Sequence, residues 1–251
     1  MTPILSVKNL NLAYDNMFAL ENISFDILAG DMLAIIGPNG AGKSTLLQAI
    51  MGLFKIPQDS QIIVDPRRLG YVPQHQAVDL SFPVTVRDVV MMGLVKEIGW
   101  LRFPQRKHWQ AVDEALERVS MRDFASRQIG ELSGGQRQRV FIARALVQQS
   151  DILLLDEPFA GVDIGVETDL MKTITALNEE GITILLSTHD LGLAFKQFKR
   201  VMALHRELIG IGTPQEMYTA DMLRALYGGG IATVNEEGQV LVFVDDDVHC
   251  C

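Results

Sequence analysis

The sequence predicts an α/β fold: a mainly parallel sheet, an antiparallel β part at the N-terminus and a helical insert between strands of the sheet. Three observations predict it. Residues 32–36, 152–155 and 182–187 are short and largely apolar, the pattern of strands buried on both faces. Helical patterns separate such runs, as crossovers between parallel strands require. Residues 83–128 then break the alternation with mostly helical spacing.

Taken in order, residues 5–12 and 23–28 have β character, and 32–36 form a buried strand ending at Gly37. A helix covers residues 43–51, and 61–72 hold a short strand ending in Tyr71-Val72-Pro73-Gln74. Thr85-x-x-Asp88 reads as an N-cap, and residues 111–119 have helical spacing. Residues 152–155 are a strand, 167–180 a helix stopped by Gly181, and 182–187 a strand. Asp190 opens a further helix, and residues 201–211 suggest two strands around a turn. Thr213-Pro214-Gln215-Glu216 combines an N-cap Thr, an N1 Pro and an N3 Glu, a helix start. Gly228-Gly229-Gly230 ends that region, and residues 240–244 are strand-like before an acidic end. This reads as one domain over residues 1–230, with its core at 1–82 and 145–215, the insert at 83–144 and a tail at 231–251.

A chain of 251 residues can bury a sizeable core in one or two domains. Its net charge of −9 argues against nucleic acid as partner, because phosphate backbones attract basic surfaces. No apolar run reaches transmembrane length. The start MTPILSVKNL lacks the regions of a signal peptide, so a cytosolic location is expected, with membrane contact through a partner. Both cysteines, Cys250 and Cys251, are terminal, so no disulfide can join distant parts of the chain, which fits a reducing compartment.

Gly37, Pro38, Asn39, Gly40, Ala41, Gly42, Lys43, Ser44 and Thr45 match the phosphate-loop pattern in full, between a strand and a helix. The glycines let backbone N–H groups close around phosphate oxygens. Lys43 would reach the β- and γ-phosphates and Ser44 would ligate Mg²⁺. The apolar run 152–155 delivers two carboxylates: Asp156, placed to hold the Mg²⁺ shell, and Glu157, placed to accept a proton from an attacking water. His189 follows a strand, where a γ-phosphate contact or a merely structural place beside Asp190 are both open. Gln74 also follows a strand, and its amide can bind water or Mg²⁺. Tyr14 could stack on adenine or fill a strand-end core position.

Ser133, Gly134, Gly135 and Gln136, within Leu132-Ser133-Gly134-Gly135-Gln136, form a second glycine-bearing turn before a helical pattern. A bare helix N-terminus is an anion site, yet Ser-x-x-Gln is equally a capping box. The chain thus has two phosphate-ready turns, although one ATP needs one.

Together and in this order, these motifs resemble the ATP-binding cassette (ABC) family over residues 4–216. The resemblance implies a P-loop NTPase (RecA-like) core and Mg²⁺-dependent ATP hydrolysis, with Tyr14 on adenine and the loop from Gly37 to Thr45 on phosphates. Gln74 would link site and insert, Ser133 to Gln136 would be the signature, and Asp156 would hold the metal shell. Glu157 would be the general base, Gly161-Val162-Asp163 the interface loop and His189 the switch. The interface loop is the loosest match, with Gly161-Val162 where many members have Ala-Leu. In this family two subunits pair head to tail, and each signature caps the ATP held by the other. A homodimer closed by an ATP sandwich is therefore implied, which answers the puzzle of two turns.

More narrowly, Asp79-Leu80-Ser81-Phe82-Pro83-Val84-Thr85-Val86, Asp88-Val89-Val90-Met91-Met92-Gly93 and Phe159-Ala160-Gly161-Val162-Asp163 are similar to the subfamily importing manganese, zinc or chelated iron. That implies an ATPase subunit on the cytoplasmic face of the cell membrane, docked on a separate permease and served by an external metal-binding protein. Phe82, Trp100, Phe103 and Trp109 gather in the insert, where they would meet the permease or fill the insert's own core. Asp245-Asp246-Asp247-Val248-His249-Cys250-Cys251 could bind a transition metal or simply fray. The alternative is an ABC ATPase of DNA repair or translation, which works without a permease. Long coiled coils or a second cassette are typical of those proteins, and this sequence has neither. The lack of an Asn-Lys-x-Asp motif argues against a signalling GTPase.

Overall fold

The structure, a computed structural model, describes the chain except residues 1, 15–16, 75–82, 100, 229–230, 237–238 and 245–251, together with the side chains of residues 14, 67, 231–236 and 239–244. Phe82, Trp100, the stretch 79–82 and the end 245–251 therefore lie outside the described residues.

The chain begins with β1 (Leu5–Tyr14), β2 (Met17–Ile27) and β3 (Met32–Ile36), followed by α1 (Lys43–Ile50), β4 (Gln61–Ile63) and β5 (Leu69–Val72). The insert holds α2 (Val86–Met91), α3 (Val95–Ile98), α4 (Arg106–Arg118) and α5 (Gly134–Leu146). Then come β6 (Ile152–Asp156), α6 (Ile164–Glu179), β7 (Thr183–Thr188), α7 (Leu191–Gln197), β8 (Arg200–His205) and β9 (Glu207–Gly212). The last elements are α8 (Pro214–Met217), α9 (Ala220–Tyr227), β10 (Ile231–Glu236) and β11 (Gln239–Val244).

The main sheet has the order β5-β6-β7-β3-β8-β9, parallel except for β9, which pairs antiparallel with β8. A separate antiparallel sheet, β2-β1-β4, supplies the N-terminal β part. Residues 61–72 are thus two strands in two sheets, with the helical turn Pro66–Arg68 between them. Likewise the segment after Gly228 is a hairpin of β10 and β11, where one strand was expected. α6 starts at Ile164 because Asp163 takes the N-cap position, three residues before the apolar spacing shows a helix.

Period-2 geometry sorts the central strands into two cores. Met32, Ala34, Ile36, Leu153 and Leu155 face the insert and α6. Leu33, Ile35, Ile152 and Leu154 face α1 and the antiparallel sheet. Burying both faces explains why these strands read as unbroken apolar runs.

Asn178 ties these layers together. Its side chain is 7% exposed and donates to the carbonyls of Gly30 (3.0 Å) and Ile182 (2.9 Å), joining the end of α6 to the starts of two strands. Asn178→Ala leaves those carbonyls unpaired and should cost about 1–3 kcal/mol, measured by urea unfolding.

Candidate functional site

Lys43, Gln74, Asp156, Glu157 and His189 all stand at or just beyond the carboxyl ends of parallel strands. The phosphate loop follows β3, Gln74 follows β5, Glu157 follows β6 and His189 follows β7, all in adjacent strands. Such ends are where α/β sheets bind ligands. They border a cleft of about 270 Å³ lined by Ala19, Asn39, Gly40, Ala41, Gly42, Lys43, Ser44, Thr45, Gln74 and Glu157.

Gly42 takes the N-cap of α1 at φ 95, and a Cβ there would lie 2.6 Å from the carbonyl oxygen of Ala19. A side chain would be strained and blocked there, so glycine lets the loop close against β2. Lys43 is 5% exposed and donates to the carbonyls of Gly37 (2.8 Å) and Pro38 (3.1 Å). Burial pulls its pKa below the ordinary lysine value, and the nearby Glu157 and Asp156 oppose that pull.

Asp156 is 2% exposed and collects three hydroxyls. Its Oδ1 accepts from Ser44 Oγ (2.9 Å) and Ser187 Oγ (2.7 Å), and its Oδ2 from Tyr71 Oη (3.1 Å). Ser187 Oγ also accepts from the Glu157 backbone N–H at 2.9 Å. Glu157 itself sits at φ 43, a left-handed conformation costly for a residue with a Cβ and concentrated at functional positions. Around its carboxylate, Lys43 Nζ lies at 3.5 Å, Gln74 Nε2 donates at 3.3 Å and His189 Nδ1 lies at 3.7 Å. The His189 side chain is 63% exposed.

The structure therefore gathers Lys43, Ser44, Gln74, Asp156, Glu157 and His189 in one place. Tyr14 ends β1, paired with Met17, and its side chain lies outside the described ones. Ser133, Gly134, Gly135 and Gln136 do not line the cleft. They begin α5 with the full capping box: Gln136 N donates to Ser133 Oγ (3.3 Å) and Ser133 N donates to Gln136 Oε1 (3.0 Å). Asp163, in the interface loop, caps α6 by position without a side-chain bond, beside an exposed Ile164.

Tyr71 and Ser187 were not singled out from sequence. Ser187 is level with Asp156 in the β6–β7 register. Tyr71 is level with Leu154, one period short of Asp156 on the same face. Ordinary strand residues in sequence, they become partners of Asp156 only through pairing. Tyr71 is also pushed up to about 12, mainly by burial, so its phenol stays a donor near neutral pH.

In the insert, Phe103 is 91% exposed and Leu101 95% exposed, and Met92 and Val95 are also exposed. Trp109 instead packs on the insert's core, with the Arg87 guanidinium 5.6 Å from its ring centre. Among the described residues no helix is long and apolar enough to cross a membrane, and no cluster of three His, Cys, Asp or Glu side chains could hold a metal ion.

Comparison with known proteins adds family evidence. The family model described as ABC transporter matches residues 20–160. The manganese transport system ATP-binding protein MntB of Halalkalibacterium halodurans is 42% identical over 96% of this chain and 99% of its own. The zinc transport system ATP-binding protein TroB of Treponema pallidum is 43% identical over 90% of this chain and 88% of its own. Among solved structures, a metal-chelate type ABC transporter in an inward-facing conformation superposes with a TM-score of 0.84 and 28% identity, over 97% of this chain and 96% of that one.

Proposed function

The chain belongs to the ABC transporter family, and we propose that it is the ATP-hydrolysing subunit that powers import of a transition-metal ion, manganese or zinc, through a separate membrane permease. The observation that carries the ATPase is the meeting of Lys43, Gln74, Asp156, Glu157 and His189 at four adjacent strand ends. Support for the cargo comes from relatives that match nearly the whole chain and serve manganese and zinc transport systems. A permease-free role in DNA repair or translation has no such support.

In this reading the loop from Gly37 to Thr45 wraps the phosphates with backbone N–H groups, and Lys43 neutralises the charge that develops on the γ-phosphoryl. Glu157 takes a proton from the attacking water, while Gln74 and His189 hold the carboxylate and water in place. Tyr14 stacks on the adenine. A bond forms from the water oxygen to γ-phosphorus as the bond from γ-phosphorus to the β–γ bridge oxygen breaks, and that oxygen leaves with ADP, giving ADP and phosphate. Asp156, Ser44 and the Gln74 amide offer hard oxygen donors, and the Asp156–Ser44 pair is 2.9 Å apart, a donor set that suits Mg²⁺. When bound there, Mg²⁺ would offset the negative charge of the phosphate oxygens.

Because Ser133 to Gln136 lie outside the cleft, their anion-ready turn serves the nucleotide of a second copy, making a homodimer around two ATP molecules. The exposed Met92, Val95, Leu101 and Phe103 give the insert apolar side chains that support docking on a permease, with the dimer at the cytoplasmic face of the membrane in this reading. An external binding protein would deliver the metal ion.

Cells lacking this chain should lose most high-affinity manganese or zinc uptake, and a Lys43→Ala copy should not restore it. Uptake of both metals at the parental rate would overturn the cargo assignment. Purified protein that fails to hydrolyse ATP even with its permease would overturn the enzyme assignment.

A further inference from the structure

We propose that Tyr71 is a positioning residue for Asp156, aiming its carboxylate at the metal-bound nucleotide. The inference rests on the ATPase reading and extends it to a residue outside the expected motifs. Oδ1 of Asp156 is already shared by the Ser44 and Ser187 hydroxyls. Oδ2 has the Tyr71 phenol as its donor among the described residues. With Oδ1 held on two sides and Oδ2 on a third, the carboxylate plane cannot turn.

Each holding group comes from a different element. Ser44 is on α1, Ser187 on β7 and Tyr71 on β5, so Asp156 is fixed from α1 and from both neighbouring strands. Tyr71 is itself braced by Gln48 Nε2, which approaches its oxygen at 3.5 Å from the phosphate-loop helix. Three residues beyond Tyr71, the same segment presents Gln74 to Glu157. Movement of this segment would therefore turn Asp156 and release Glu157 together, joining the metal-facing carboxylate to the catalytic one.

Tyr71→Phe removes one oxygen and keeps the ring, so it separates positioning from packing. ATP affinity is measured twice on each protein, with Mg²⁺ and with chelator, and Mn²⁺ binding to the nucleotide complex is followed by its paramagnetic signal. Tyr71→Phe should keep the metal-free affinity, lower the metal-dependent gain about 10-fold or more, and raise the Mg²⁺ concentration for half-maximal hydrolysis similarly. Both affinities come from one variant, so their ratio reports the metal even where stability falls. An unchanged ratio and Mn²⁺ affinity would overturn the role of Tyr71. A parent protein that hydrolyses no ATP at any Mg²⁺ concentration, even with its permease, would instead overturn the ATPase reading.

Discussion

Glu157→Gln is expected to lower ATP turnover about 10²- to 10⁴-fold, the usual worth of a positioned general base, while ATP still binds. The substitution is close to isosteric. The backbone at φ 43 is held by the Glu157 N–H donating to Ser187 Oγ, and the new side chain leaves that bond in place. Its amide oxygen can still accept from Gln74 Nε2, so the loop after β5 keeps its anchor. What disappears is the negative charge 3.5 Å from Lys43 and the basicity needed to take a proton from water. ATP should then remain uncleaved in both sites and hold two chains together. Single-turnover hydrolysis, nucleotide binding and light scattering test this in one preparation. A Glu157→Gln protein that is monomeric with ATP and fully active would remove Glu157 from the reaction.

That carboxylate was legible in the sequence because its strand is buried on both faces and ends abruptly in Asp156-Glu157-Pro158. The same physics made residues 32–36 and 182–187 legible, and with them the positions of Lys43 and His189. Legibility failed where structure depends on partners far away in sequence. β4 and β5 are three and four residues long, too short for a period to show, and they separate only because β4 pairs with β1 and β5 with β6. β2 begins at Met17, before the apolar run, because its first residues form an exposed sheet edge that pairs with the end of β1, with Met17 71% exposed. Tyr71 and Ser187 carry no motif, and only the register β5-β6-β7 brings their hydroxyls onto Asp156. The signature turn was half legible: its capping box was readable, but the reason for its second glycine was not.

Gly135→Ala is expected to disable the ATPase through this chain's own packing, not through the phosphate contact. A Cβ at Gly135 would lie 2.0 Å from Val166 Cγ1 on α6, far inside contact distance. Valine is branched and stiff, so α5 must lift at its N-terminus or α6 must retreat. Overpacking of this kind costs about 1–3 kcal/mol, which is about 5- to 150-fold in the population with α5 seated on α6. Turnover should fall accordingly, and thermal unfolding should move down with it. Val166→Ala, which removes the clashing methyl, should restore both in the double variant. Gly134 gives the opposite case. A Cβ there would meet Val162 at 3.5 Å, an ordinary contact, so Gly134→Ala should leave the isolated chain as stable as its parent. If the turn faces the nucleotide of a second copy, that methyl group still covers backbone N–H groups meant for phosphate. Turnover should then fall without any loss of stability, and no substitution at Val162 should recover it. Equal turnover in Gly134→Ala and the parent would leave the turn as a capped helix start only. Failure of Val166→Ala to rescue Gly135→Ala would instead assign Gly135 to the phosphate.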